Sequence, residues 1–194
     1  ASLYDGEHYD ARLEDPAWAT ATFDDAAWAP VVELESVAEQ LEAPVGPPVR
    51  RIEVLAPVAI SHSPAGAVLV DFGQVIAGVT RLRVNGPAGT EVRLRHAEVL
   101  EHGELGTRPL RLAEATDVFI LGGGGVETYE PAFTSHGFRY VEVSGWPGEL
   151  EPADIEAYFC TSDLPTTGTF RCSNDDLNTL HDNIRRGWRG NAVD

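Results

Sequence analysis

From residue 49 onward, apolar and polar residues alternate with a period of two, the spacing of a strand that buries one face. The stretches VRRIEVLAPVAI, AVLVDF, VTRLRVNG and TEVRLRHAEVL carry this pattern and are rich in β-branched residues. In VTRLRV, Leu82 and Val84 face one way and the arginines the other, with Val79 out of phase. TDVFIL, VETYEPAF, FRYVEVSG, DIEAYFCT and GTFRC continue the series. Asn85-Gly86-Pro87-Ala88-Gly89 predicts a hairpin loop, and the glycine run 122–125 predicts a turn between two strands. About nine short strands with no helix among them predict a mostly β fold. Over residues 49–172 the expectation is an antiparallel β-sandwich of the jelly-roll kind, in two packed sheets.

After residue 172 the period changes. Leu177, Leu180, Ile184 and Trp188 fall on one helical stripe, which predicts a helix over 174–189. Ser173 is placed as its N-cap, with Asp176 three residues on, and Arg185, Arg186 and Arg189 suit its C-terminal end. Gly187 weakens this helix and Gly190 is expected to end it. The stripe needs a cover, so it is expected to fold back onto the sandwich or to pair with a second copy. Residues 1–45 are irregular and read as an arm laid against the sheets. In it Trp18, Phe23 and Trp28 are expected to be at least partly buried. The chain thus divides into an arm (1–45), a sandwich (46–172) and a helix (173–194).

Charge narrows the partners. The 31 acids against 14 bases give a net −17, so nucleic acid and anionic membrane surfaces are excluded as partners. No apolar run approaches the ~20 residues of a membrane helix. A neutral sugar tolerates this charge, although an acid excess also serves solubility alone. Cys160 and Cys172 fall near the ends of two strands expected to be adjacent. They are read as small buried side chains, with a disulfide as the other option.

No nucleophile elbow, metalloprotease motif, phosphate loop or calcium loop is present. The 6 histidines show no metal-ligand spacing, so no metal, cofactor or catalytic set is assigned. Sugar hydrolysis needs two placed carboxyl groups, and spacing alone nominates none; Glu98 and Glu127 read as salt-bridged surface carboxylates. Two clusters are dense. One is Asp71-Phe72-Gly73-Gln74, expected at a strand end. The other runs from Phe133 to Tyr140 and packs aromatics around His136 and Arg139. The second is either a sugar-stacking patch or a strand entry tied by Arg139 to a carboxylate. Trp146, Tyr140 and His136 are the candidate sugar contacts, and Asp71 and Arg139 are each expected to be partly buried with a partner.

These residues carry a family resemblance. The order is Gly6-Glu7-His8-Tyr9-Asp10-Ala11-Arg12, Phe23-Asp24-Asp25 with Trp28, Asp71-Phe72-Gly73-Gln74 and Ile76-Ala77-Gly78. Arg95-His96-Ala97-Glu98-Val99-Leu100, Ala115-Thr116-Asp117, His136-Gly137-Phe138-Arg139-Tyr140, Cys172-Ser173-Asn174 and Arg189-Gly190-Asn191 follow. Together they resemble bacterial α-L-rhamnosidases of glycoside hydrolase family 78, from the end of a lectin-like domain through a concanavalin-like sandwich to a linker helix. The chain departs from the family at Val75, Val79, Ser135 and Ala192, where Asn, Trp and aromatic residues are usual. The resemblance implies a parent that cleaves terminal α-L-rhamnose with inversion, using carboxylates of an (α/α)6 barrel in the same polypeptide. It implies that this segment is inactive alone and supports that barrel. A carbohydrate-binding module for rhamnose-containing glycans is the competing expectation. The resemblance implies a bacterial source and leaves cytoplasm and secretion equally open.

Overall fold

The computed structural model describes residues 2–34 and 41–193. Residues 35–40, near the end of the arm, therefore lie outside the described residues. Among the described residues, eleven strands and one α-helix form, with a few short 3-10 turns: β1 (His8–Asp10), β2 (Val49–Leu55), β3 (Ala59–His62), β4 (Val68–Asn85), β5 (Glu91–Ala97), β6 (Val99–Glu101), β7 (Glu104–Gly106), β8 (Thr116–Ile120), β9 (Val126–Tyr129), β10 (His136–Ser144), β11 (Ile155–Ser162) and α1 (Asp175–Asn191).

The strand order is β1-β8-β5-β10-β4-β11-β2, with β3 and β9 also on β4 and β6-β7 a separate ribbon. Every described pair is antiparallel except β1 with β8, and of these two only β1 lies outside the 49–172 span. The two expected sheets are one curled sheet, because β4 belongs to both layers. Its first half pairs with β3 and β10, and its second half with β11 and β9. The inward residues of both layers interdigitate in one core. Phe72, Leu82, Leu94, Leu121, Phe138 and Phe159 are among its most buried members.

Several local expectations change. AVLVDF and VTRLRVNG are not two strands but the single β4. The Asp71–Gln74 cluster therefore lies in mid-strand and not at a strand end. Phe138 faces Ile76 and Tyr140 faces Asp71, so four residues of β4 stand against Arg139 alone. This is a bulge, helped by Gly73 at φ 81°. The loop after Asn85 is not a hairpin, because β10 lies between β4 and β5. GTFRC forms no strand, so the expected cysteine hairpin is absent, and both thiols are free and half-buried.

The arm departs most. β1 adds to the edge at β8, but Trp18 and Trp28 are 61 % and 59 % exposed. Local bonds explain this. Asp15 caps the short turn Pro16–Ala19, Asp24 accepts from the Ala26 amide, and Phe23 packs edge-on against Trp28. The rings thus satisfy their own segment and not the sandwich. Phe23 alone is half-buried.

The helix caps on Asn174, not Ser173, because the Asn174 side chain accepts from the Asp176 and Leu177 amides. It runs on through Gly190 to Asn191. Its stripe does not fold back: Leu177, Leu180, Ile184 and Trp188 all remain exposed. The other side meets the sandwich, through Arg186 on Glu53 and the Thr161 hydroxyl donating to the Arg189 and Ala192 carbonyls.

Arg139 sits at the bulge and, as expected, is partly buried and paired with a carboxylate. Its guanidinium donates two bonds of 2.8 Å to both oxygens of Asp71, which also accepts from the Gly73 amide. The guanidinium holds the Asp71 carboxyl below its ordinary range, against a smaller upward pull from burial. The pair is partly open to solvent, at 36 % and 22 % side-chain exposure, so its contribution is screened. Arg139→Ala should lower stability by about 1 kcal/mol. Thermal melting checks this, and an unchanged midpoint would remove Arg139 from the ties that hold β10 to β4.

Candidate functional site

Three neighbouring strands, β8, β5 and β10, bring one acid and two histidines to a single buried point. Asp117 and His96 are fully buried and His136 nearly so. Asp117 Oδ1 accepts from the Glu7 amide at 2.9 Å and lies 3.1 Å from His136 Nε2. His96 Nδ1 lies 3.0 Å from the Ala115 carbonyl, which only accepts, so that nitrogen carries the proton. His96 Nε2 then has a free lone pair, 3.3 Å from the Thr80 hydroxyl and 3.9 Å from Asp117 Oδ2. That carboxylate oxygen has no donor among the described residues.

The electrostatics follow from burial. Desolvation pushes the His96 pKa down to about 4, and the neighbouring His136 adds to this. Burial pulls the Asp117 carboxyl upward, but the His136 hydrogen bond, both histidine charges and the Glu7 amide together outweigh it, and its pKa ends lowered. The centre therefore holds an ionised acid beside a neutral His96.

A buried acid and two histidines are also the side chains that hold zinc, and their ligand atoms lie within 4.8 Å. The two rings stack, however, with centroids 4.3 Å apart and planes 25° from parallel. Stacked rings point their nitrogens side by side, whereas a tetrahedral ion needs lone pairs that converge. The geometry favours a hydrogen-bonded charge cluster that pins the arm, through Glu7, to the sheet.

Glu7 is a second hub that the sequence reading did not single out by role. It is buried, and its carboxylate accepts from the Tyr129 hydroxyl and from the Ala132 and Phe133 amides. The available signal was positional: Glu7 follows a tight Gly6, and Asp117 stands inside an apolar strand run.

The three proposed sugar contacts are not gathered into one patch. His136 is closed off by its bond to Asp117. Tyr140 is half-buried under the Arg139 guanidinium, 5.0 Å from its ring centre, and packs on Leu69, Ala97 and Leu105. Trp146 is half-buried against the main core, with its indole N–H on the Glu149 carbonyl. Among the described residues Glu127 has no ion pair; it holds the glycine turn, accepting from the Gly122 and Gly123 amides. Glu98 lines a groove of about 700 Å³ between the β4 bulge and α1. A second groove, of about 590 Å³, lies between β1, β9 and the loop at Phe133.

The curled, mostly antiparallel sheet around one main aromatic core has the form of a β-sandwich. Residues 61–161 match the bacterial alpha-L-rhamnosidase concanavalin-like domain, and residues 1–53 match the alpha-L-rhamnosidase N-terminal domain. The chain therefore belongs to the bacterial α-L-rhamnosidase family. It is 46 % identical to an alpha-L-rhamnosidase of Streptomyces avermitilis over its full length, and 36 % identical to one of Alteromonas sp.. It spans 19 % and 21 % of those proteins. Among solved structures, an α-L-rhamnosidase from Aspergillus terreus superposes with a TM-score of 0.95 at 45 % identity, covering all of this chain and 23 % of that one. The Streptomyces avermitilis enzyme, solved with L-rhamnose, superposes at 0.94, covering all of this chain and 19 % of its own.

Proposed function

We propose that this segment is the non-catalytic sandwich of an α-L-rhamnosidase, and that it supports a catalytic (α/α)6 barrel in the same polypeptide. The parent hydrolyses terminal α-L-rhamnose from glycosides or polysaccharides with inversion. In this reading residues 1–45 end a lectin-like domain, 46–172 are the supporting sandwich and 173–194 link to the barrel. One observation carries it: relatives named as the enzyme match the whole chain, yet the chain spans only about a fifth of them. The exposed stripe of α1 is the surface assigned to the barrel, or to a second copy where the barrel is absent.

The chain alone should release nothing from an aryl α-L-rhamnoside, and a polypeptide extended to the relatives' length should do so. Inverting hydrolysis needs an acid and a base facing one sugar. Here Asp117, Glu7 and Glu127 are instead committed to backbone amides. Turnover by this chain, abolished by changing one of its own carboxylates, would overturn the reading. The competing function is a module that binds rhamnose-containing glycans. Tyr140 and Trp146 are then the sandwich contacts, with His136 acting only through Asp117.

A further inference from the structure

We propose that the contact between the Gly6–Glu7 backbone and Asp117 is a proton-operated latch between the N-terminal arm and the sandwich, with His96 as the ring that takes the proton. The latch joins two modules, since residues 1–53 and 61–161 match separate domains of the family. It does not need the segment to be catalytic or inert.

The switch lies in an imbalance of donors. Asp117 Oδ1 is served twice, by the Glu7 amide and by His136 Nε2. Asp117 Oδ2 faces His96 Nε2 at 3.9 Å, and both atoms present lone pairs, so neither can donate to the other. A proton on Nε2 turns this contact into a donor facing an acceptor. The carboxylate is then drawn towards the ring and away from the Glu7 amide. Few charged groups face His96. Asp117 does so from β8 and His136 from β10, while β4 presents the uncharged Thr80. Next to β1, the Glu7 carboxylate turns away to the Tyr129 hydroxyl of β9 and to the Ala132 and Phe133 amides.

The arm is also the cover of this site. A Cβ at Gly6 would lie 2.0 Å from the Thr116 carbonyl oxygen and 2.8 Å from Asp117 Oδ1, so only glycine lets the arm close over the carboxylate. The strands that carry the cluster, β8, β5 and β10, are each paired on both sides. By contrast β1 has three residues and pairs with β8 alone, and Leu3 and Tyr4 ahead of it are exposed. The arm is therefore the part that opens at least cost. Opening lets water solvate a charged His96, which the closed site does not. Ring and arm are linked through the backbone as well. His96 Nδ1 donates to the Ala115 carbonyl, and the Ala115 amide donates to the Tyr4 carbonyl. The bonds of the Glu7 carboxylate form a second hold, which keeps the open form in the minority and the latch reversible.

The sign follows from the two forms of the ring. Closed, burial and His136 push its pKa down to about 4. Open, it titrates near the ordinary value of about 6.5. Opening therefore becomes easier as pH falls between those values, and gains nothing more below the lower one.

The test is amide hydrogen exchange of the full chain at pH 7 and 4.5, expressed as protection relative to a free peptide. The amides of Glu7, Ala115, Thr116 and Val118 report the latch, because each bonds across the junction of arm and sheet. Leu94 and Val143, paired between β5 and β10, report global unfolding. The four should be less protected than the two at both pH values, and should lose about fiftyfold in protection on acidification. In His96→Gln that loss should shrink to about threefold or less, the part left to surface carboxylates. In Gly6→Ala the added Cβ holds the arm off, so the four should be weakly protected already at pH 7 while Leu94 and Val143 stay protected. This second variant changes the arm and not the core, so it decides the matter should His96→Gln fail to fold. Equal protection of the four and the two, an equal loss on acidification in the native chain and His96→Gln, or native protection of the four in Gly6→Ala would each overturn the proposal. Release of rhamnoside bears on none of these outcomes, so the two readings fall separately.

Discussion

Acidification from pH 7 to 4.5 should cost this chain most of about 3 kcal/mol through His96 alone. The ring is neutral in the fold, with its pKa pushed down to about 4 by burial and by His136. In the unfolded chain it titrates near the ordinary 6.5. The unfolded state therefore takes up the proton first, and stability falls as pH drops. It is complete above 6.5 and declines until both states are protonated, below about 4. The interval between those two values corresponds to about 3 kcal/mol. A second effect has the opposite sign. The net charge of −17 repels itself, and protonating surface carboxylates relieves that repulsion. The clean reading is thus the difference between the native chain and His96→Gln. Urea midpoints at pH 7 and 4.5 should separate for the native chain and draw together in the variant. Parallel pH dependence in the two would show that His96 is not held neutral in the fold.

Legibility of this fold from sequence depended on how local each feature is. Period-two alternation located β5, where Val92, Leu94 and His96 are buried in phase. It faltered at Val79-Thr80, where both residues are buried, because β4 passes there from one layer to the other and is covered on both sides. Strand neighbours were out of reach. A loop rich in Asn, Gly and Pro marks a chain reversal, but it does not say that β10 will enter between the strands it joins. The charge cluster was hidden for the same reason. His96, Asp117 and His136 stand at no motif spacing and meet only through the order β8-β5-β10. The Asp71–Arg139 pair was legible because each residue sits in a dense aromatic motif that would otherwise leave its charge unpaired. Trp18 and Trp28 misled because ring size argues for burial, while nearby aspartates close local turns that keep both rings out.

The passage of β4 between layers has a narrow point at Gly78, and Gly78→Ala should cost about 3 kcal/mol or more. Gly78 pairs with His136 of β10 on one side and with Phe159 of β11 on the other. Beside it β11 shifts register between Phe159 and Cys160. A Cβ at Gly78 would lie 1.8 Å from the Tyr158 carbonyl oxygen, 3.0 Å from its carbon and 3.3 Å from the Cys160 nitrogen. All three are backbone atoms, so no rotamer change relieves the clash. Either β11 moves away from β4 or β4 moves towards β10, and each shift opens the core around Phe138 and Phe159, which are buried. For a chain of this size the loss corresponds to a melting point lower by roughly 6–12 °C. Gly187→Ala is the matched control: it lies within α1 with nothing within 4 Å, so the added methyl should be neutral or stabilise by up to about 1 kcal/mol. If the two variants melt together, β4 and β11 do not approach closely at Gly78, and the two layers are joined in some other way.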